Sequence, residues 1–199
     1  MNSKPSNQSS HEALYQVAGQ QAGYFTATQA RASGYSQRQL TYYVKTHRFK
    51  RIRPGIYRMS QYPSSANEDL VIAWLEAGPT AVISHESALA LYELSDALPS
   101  EVHLIIPPKA SRRHPSLRLH TNRLSADETT WFGGLPVTTV PRTIMDVAVS
   151  GLAEELVIQA VHQAIQRGLT TIESLRAAAE RRGGRACHLV QRALQEVIS

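Results

Sequence analysis

Along the chain, apolar positions recur at helical spacing, give way to short alternating runs, then return to helical spacing, with Gly and Pro marking the changes. In HEALYQVAGQQAGY, Leu14, Val17 and Ala18 are helically spaced and Gly19 and Gly23 lie near the end, which predicts a first helix. TATQARASG follows. Its Thr26 and Gln29 have the spacing of a capping box, in which each side chain satisfies the other residue's free backbone N–H, and Gly34 ends the short helix. Ser36 and Gln39 repeat the pattern after a turn of a few residues. Two capped helices joined by a Gly-containing turn predict a helix-turn-helix.

The second of these helices has two unlike faces. At about 100° per residue, Leu40, Tyr43, Val44 and His47 share one arc, and Gln37, Arg38, Thr41, Tyr42, Lys45 and Arg48 share the opposite one. The first arc suits packing. The second gathers amide, hydroxyl and cationic groups, the types that read base edges and hold phosphates. FKRIRPGIYRM then reads as a hairpin with Pro54-Gly55 at the centre of a type II turn, because proline presets the first turn angle and glycine accepts the positive one. Helices followed by a hairpin carrying Lys50, Arg51, Arg53 and Arg58 predict a winged helix-turn-helix.

QYPSSAN is polar and turn-rich, and places a boundary near residue 62. The organisation expected is a disordered lead over 1–12, a winged helix-turn-helix over 13–61 and a second domain over 62–199. In that second domain NEDLVIAWLEAG and SHESALALYEL read as helices, with Asn67 and Ser84 as their caps. EVHLIIP, LRLHT and LPVTTV read as strands around a basic loop, PKASRRHPS. Pro141 suits the first turn of a helix through TIMDVAV, and helices interrupted near Gly168 and Gly183-Gly184 fill the tail. The fold class expected is α+β: a winged helix-turn-helix, then a mixed α/β domain with a helical C-terminal tail.

Charge sharpens this picture. Residues 1–60 carry nine Lys/Arg against the single acid Glu12, a balance of +8, and residues 61–199 carry twelve against fifteen, or −3, which together give the net +5. A basic excess confined to one end points to a polyanion partner, and its coincidence with a reading helix and a wing points to double-stranded DNA. The 199 residues include one cysteine, no apolar run of membrane length and no secretory start, so a cytoplasmic protein without a membrane role is expected.

The motifs of catalysis are missing. There is no GxxxxGK[ST] phosphate loop, no DxD or DxE pair, no HExxH and no CxxC. The lysines at 4, 45, 50 and 109 are preceded two residues earlier by Asn2, Tyr43, Arg48 and Pro107, so the acid of a restriction-type nuclease is lacking. His85, His103, His114, His120, His162 and His188 show no ligand spacing and read as dispersed surface or hydrogen-bonded core residues, and Cys187 as a packed one. No catalytic residue, metal or cofactor is expected. The competing reading is a nucleic-acid-processing enzyme with a basic N-terminal anchor, for which His85 and Glu86 would be the candidates.

The wording AGYFTATQARASGYSQRQLTYYVKTHRFKRIRPGIYRM, continued by VISHESALALYELSDALPSEVHLIIP and LPVTTVPRTIMDVA, resembles the AbiEi-type antitoxins of bacterial type IV toxin–antitoxin systems. The resemblance implies a winged helix that represses its own operon at upstream operator repeats. It also implies a second domain that counteracts a co-encoded nucleotidyltransferase-like toxin. By position it assigns DNA reading to Ser36, Gln37, Arg38, Gln39, Thr41, Tyr42 and Lys45, and the wing to Lys50, Arg51, Arg53 and Arg58, with Arg48 beside them on the outer arc. Because one winged helix covers a short site, two copies on repeated half-sites are expected.

Overall fold

The computed structural model of the chain describes residues 7–108 and 116–198. The chain forms two compact units, 1–79 and 80–199. Residues 1–6 of the expected lead and most of the expected basic loop, with Arg112, Arg113 and His114, lie outside the described residues.

The first unit runs α1 (Asn7–Gly19), β1 (Tyr24–Thr26), α2 (Ala27–Ala32), α3 (Gln37–Lys45), β2 (Phe49–Arg53), β3 (Ile56–Met59) and α4 (Glu68–Ala77). Up to β3 this is the element order of a winged helix-turn-helix. Helix α1 begins earlier than the sequence reading had it, so residues 7–12 are helical and not part of a disordered lead. Both capping boxes form, at Thr26 with Gln29 and at Ser36 with Gln39.

Strand β1 was not expected, since three residues between a glycine and a helix cap are too few to show alternation. It pairs antiparallel with β3, Phe25 opposite Tyr57, so the hairpin becomes a sheet of order β1-β3-β2. Gly23 admits it. That residue has φ +84°, and a Cβ there would lie 2.4 Å from the Tyr62 side chain. The core of the unit is largely aromatic: Phe25, Tyr35, Tyr43, Phe49 and Tyr57 pack with Leu14, Leu40 and Met59.

Helix α4 belongs to this unit, so the division falls at 79/80 and not near residue 62. The reason is polar. Glu68, in its first turn, accepts a hydrogen bond from the Tyr24 hydroxyl at 2.9 Å and pairs with Arg58 at 3.1 Å. QYPSSAN is thus a connection within one unit. Asn67 makes no side-chain cap; the Glu68 carboxylate instead accepts from the Ser65 N–H at 3.1 Å.

The second unit contains β4 (Val82–Ile83), α5 (His85–Leu91), β5 (Val102–Ile106), β6 (Leu117–Thr121), β7 (Thr129–Phe132) and β8 (Leu135–Thr138). It closes with four helices, α6 (Val140–Ser150), α7 (Glu154–Gln166), α8 (Ile172–Arg182) and α9 (Gly184–Ile198). Its mixed sheet has the order β6-β5-β4-β8-β7, with β5–β6 and β4–β8 parallel. Strands β5, β6 and β8 fall where the alternation placed them. The two-residue β4 and the exposed β7 carry too weak a pattern to be read. Pro141 occupies the first turn of α6, and Gly183 ends α8, both as expected.

Replacing Gly23 with alanine forces a side chain into a left-handed backbone and into Tyr62. It should destabilise the protein by more than about 2 kcal/mol in urea unfolding, whereas Gly55→Ala, which meets no atom within 4 Å, pays only the backbone strain of about 1–2 kcal/mol.

Candidate nucleic-acid interface

Helix α3 is held by its inner face. Leu40 and Tyr43 are buried and Val44 is half-buried, whereas Gln37, Arg38, Thr41, Tyr42 and Lys45 are exposed along the opposite side. Tyr42 is 60% exposed although aromatic, its ring set edge-on to Tyr43 at 5.6 Å, so an aromatic surface stands among polar groups. His47 does not join the inner arc. The helix stops at Lys45, Thr46 is its C-cap, and His47 lies exposed in the turn at φ +57°. Arg48, also past the helix end, lies over the Tyr43 ring at 5.7 Å.

Ser36 and Gln39 have a different part from the five outer residues. The Ser36 Oγ accepts from the Gln39 N–H at 3.2 Å, and the Gln39 Oε1 accepts from the Ser36 N–H at 2.8 Å. These two fix the start of α3, and the start of a helix is where backbone N–H groups meet a phosphate.

Only Phe49 of β2 turns into the core; Lys50, Arg51, Ile52 and Arg53 are all exposed. Pairing with β3 slips between Arg51 and Arg53, which accounts for a strand that presents successive residues outward. Gly55 has φ +80°, the value a type II turn needs at its second central position. Its carbonyl accepts from the Ala27 N–H at 2.8 Å, which ties the wing tip to the start of α2.

One expected wing residue is not on the surface. Arg58 is buried, donates to the carbonyls of Tyr62 and Pro63 at 3.0 and 2.9 Å, pairs with Glu68 and lies over the Tyr24 ring at 5.4 Å. Held by these contacts, it joins the sheet to α4 and does not face a partner. On β3 it takes the face opposite Tyr57 and Met59, beside Tyr24 and Lys50, and it is buried there because Glu68 and the Tyr62 and Pro63 carbonyls cover it. Arg53 pairs with Glu76 at 3.2 Å but stays about half exposed, so that pair is weak. Arg38, Lys45, Lys50 and Arg51 form no ion pair among the described residues.

The exposed helix face, the capped helix start and the basic wing thus lie on one unit that spans residues 1–79. Residues 12–60 match the sequence profile of a family described as "Transcriptional regulator, AbiEi antitoxin". Over those residues the N-terminal unit is similar to regulators of the AbiEi type. The AbiEi match ends with the wing, before α4. In fold, the chain is similar to the crystal structure of the RV2827C protein from Mycobacterium tuberculosis, with a TM-score of 0.57 and 11% identity over 98% of this chain and 79% of that one. No curated protein matches. Among the described residues no helix is long and apolar enough to cross a membrane.

The second unit brings together what the sequence reading left dispersed. His85, His103 and His120 converge, each from a different element, with one ring nitrogen apiece within 4.8 Å of the others. His85 does not pair with Glu86. Its Nδ1 is instead 3.0 Å from the Ser84 Oγ, which therefore does not cap α5.

Truncating Arg58 to alanine breaks a buried pair and should cost about 2–4 kcal/mol of stability in urea unfolding, while Arg38→Ala and Lys45→Ala change it by under about 0.5 kcal/mol. The pair also sets a pH response. The Ser65 N–H foremost, then the Tyr24 hydroxyl and Arg58, hold the Glu68 carboxyl below its ordinary value. A depressed carboxylate stabilises the fold above its unfolded pKa, and this is lost as pH falls through the folded one. Tyr24 is pushed up to about 12, by burial first and then by Glu68, so its contribution disappears as pH rises through that value. Glu68→Gln should flatten the acid limb of a melting-temperature profile.

Proposed function

We propose that this protein is a sequence-specific DNA-binding repressor. In this reading α3 enters the major groove and the β2–β3 wing lies along the adjacent backbone. The observation that carries it is the row of Gln37, Arg38, Thr41, Tyr42 and Lys45 facing outward on a helix fixed by its cap, beside Lys50 and Arg51, which have no acid partner among the described residues. Amides and bidentate guanidinium groups discriminate bases, while Lys50 and Arg51 of the wing neutralise phosphates. Arg48 and Arg53 extend the same basic surface, and Ser36 and Gln39 serve it by fixing the helix start. Unpaired surface charge of one sign is tolerated because the polyanion supplies its counter-charge and releases condensed cations on binding.

The proposal extends to the matched family's description. The protein acts as an antitoxin that represses its own operon at upstream repeats, as two copies on adjacent half-sites, and counteracts a co-encoded nucleotidyltransferase-like toxin. Support for this part is the antitoxin description matched by residues 12–60. The regulator reading needs no cofactor and no catalytic residue.

Fluorescence anisotropy with the duplex immediately upstream of the gene, against a scrambled duplex across a salt series, tests it. Tight binding to the upstream duplex alone is expected, with a log–log salt slope of about −5 if six phosphates are neutralised. The double substitution Arg38→Ala with Lys45→Ala should weaken binding strongly and make the slope shallower by up to about 2. Equal affinity for both duplexes, or no change on the double substitution, would refute α3 as the reading helix.

A further inference from the structure

We propose that His85, His103 and His120 form a binding site for a divalent transition-metal ion of the zinc type in the second unit. His103 lies on β5, His120 on β6 and His85 opens α5 directly after β4. The register of the parallel pair sets His120 opposite Ile105, two residues along from His103, so both imidazoles leave the same face of the sheet. The His85 and His120 rings stack at 3.6 Å, and His103 closes the group at 5.9 and 5.3 Å between ring centroids.

Four observations point to a ligand. His103 Nδ1 and His120 Nε2 are both buried and neither has a hydrogen-bond partner among the described residues, and nitrogens in that state are destabilising unless something completes them. Ser84, wholly buried, offers its Oγ to His85 Nδ1, which fixes the ring and leaves Nε2 for another role; metal-bound imidazoles are oriented by such a partner on the far nitrogen. His85 holds φ +50°, an unfavourable backbone for a side chain of its size, at the point where the chain turns from β4 into α5. The backbone also frames the group, since the Ser84 N–H donates to the His103 carbonyl at 3.1 Å and the His103 N–H to the Ser87 Oγ at 2.8 Å.

The protonation states agree. Burial above all, then the neighbouring histidines, pushes His85 down to about 3, and burial first pushes His120 to about 4 and lowers His103. All three are therefore neutral at physiological pH, the form that donates a lone pair to a metal. Of the nearby arginines, Arg118 on β6 is exposed, where water screens its charge, and the other two are paired. Arg142 is paired with Glu128 at 3.0 Å and Asp146 at 2.9 Å, and Arg182 approaches Asp146 at 3.9 Å. Three imidazoles suit zinc, with a fourth position left for water or another small donor. Coordination at about 2.0–2.1 Å sets tetrahedral nitrogens roughly 3.4 Å apart, so the widest-set pair, within 4.8 Å here, must close by up to about 1.4 Å and the stacked rings must tilt. Such an ion would clamp the start of α5 to β5 and β6.

Untagged full-length protein, equilibrated with zinc and dialysed, should retain about one zinc per chain, with a melting temperature that rises on loading and returns on adding EDTA. His120→Gln should lose both the bound zinc and the melting-temperature shift, while His188→Gln, an exposed residue of α9, keeps them. Since His120 is only half-buried, the glutamine variant should match the metal-free wild type in circular dichroism. Cobalt provides a readout that needs no variant: the wild type should show the intense visible bands of a tetrahedral ion. A folded wild type that retains no zinc, a His120→Gln chain that retains as much, or a weak octahedral cobalt spectrum would overturn the proposal.

Discussion

Phe49 is the residue on which the geometry of the first unit turns. It is the first residue of β2 and the only one of that strand to face inward, and its ring meets Phe25 at 4.9 Å, Tyr43 at 5.1 Å and Tyr35 at 5.9 Å. Those partners come from β1, α3 and the turn before α3. One aromatic side chain therefore fixes the helix against the sheet and aims both the outer face of α3 and the arms of the wing. Large rigid rings do this well, because they bury much apolar area while losing few rotatable bonds.

Once that frame is set, the basic segment separates into two populations. Arg58 faces inward, and burying its guanidinium is tolerated only because a carboxylate, two carbonyls and an aromatic ring surround it. The remaining cations face water, where their repulsion is screened and their hydration intact. The same residue type thus joins α4 to the sheet in one place and offers charge to a polyanion in others. What covers each position decides between these roles, not composition: Arg58 and exposed Lys50 are paired across the hairpin, and only Arg58 lies under Glu68.

The second unit reverses the usual economy of polar groups. Its core is conventional around Ile83, Leu104, Leu135, Val137 and Ile144, all wholly buried, and the carboxylate of Asp146 within it is matched by Arg142. The histidine cluster differs: neutral rings held close together by a strained turn and a buried serine, with two nitrogens that lack a hydrogen-bond partner among the described residues. Two unmatched nitrogens in one cluster of three imidazoles mark it as a place where a ligand would add stability that the protein itself does not supply.

Periodicity and local chemistry were enough to determine the helix-turn-helix, both capping boxes, the Pro54-Gly55 turn, the polar outer face of α3 and three strands of the second sheet. These features depend on residues within a turn or two of each other, and the short-range physics of caps, φ preferences and side-chain spacing is written directly in the chain. Tertiary structure alone decided that β1 exists, that α4 joins the first unit, that Arg58 is inside and that His85, His103 and His120 meet. Each of those depends on pairing between distant segments: Phe25 with Tyr57, Glu68 with Tyr24 and Arg58, β5 with β6. A three-residue strand has too little alternation to register, and histidines delivered by three elements have no characteristic spacing, because their separation is set by the register of a sheet and not by the geometry of one helix or loop.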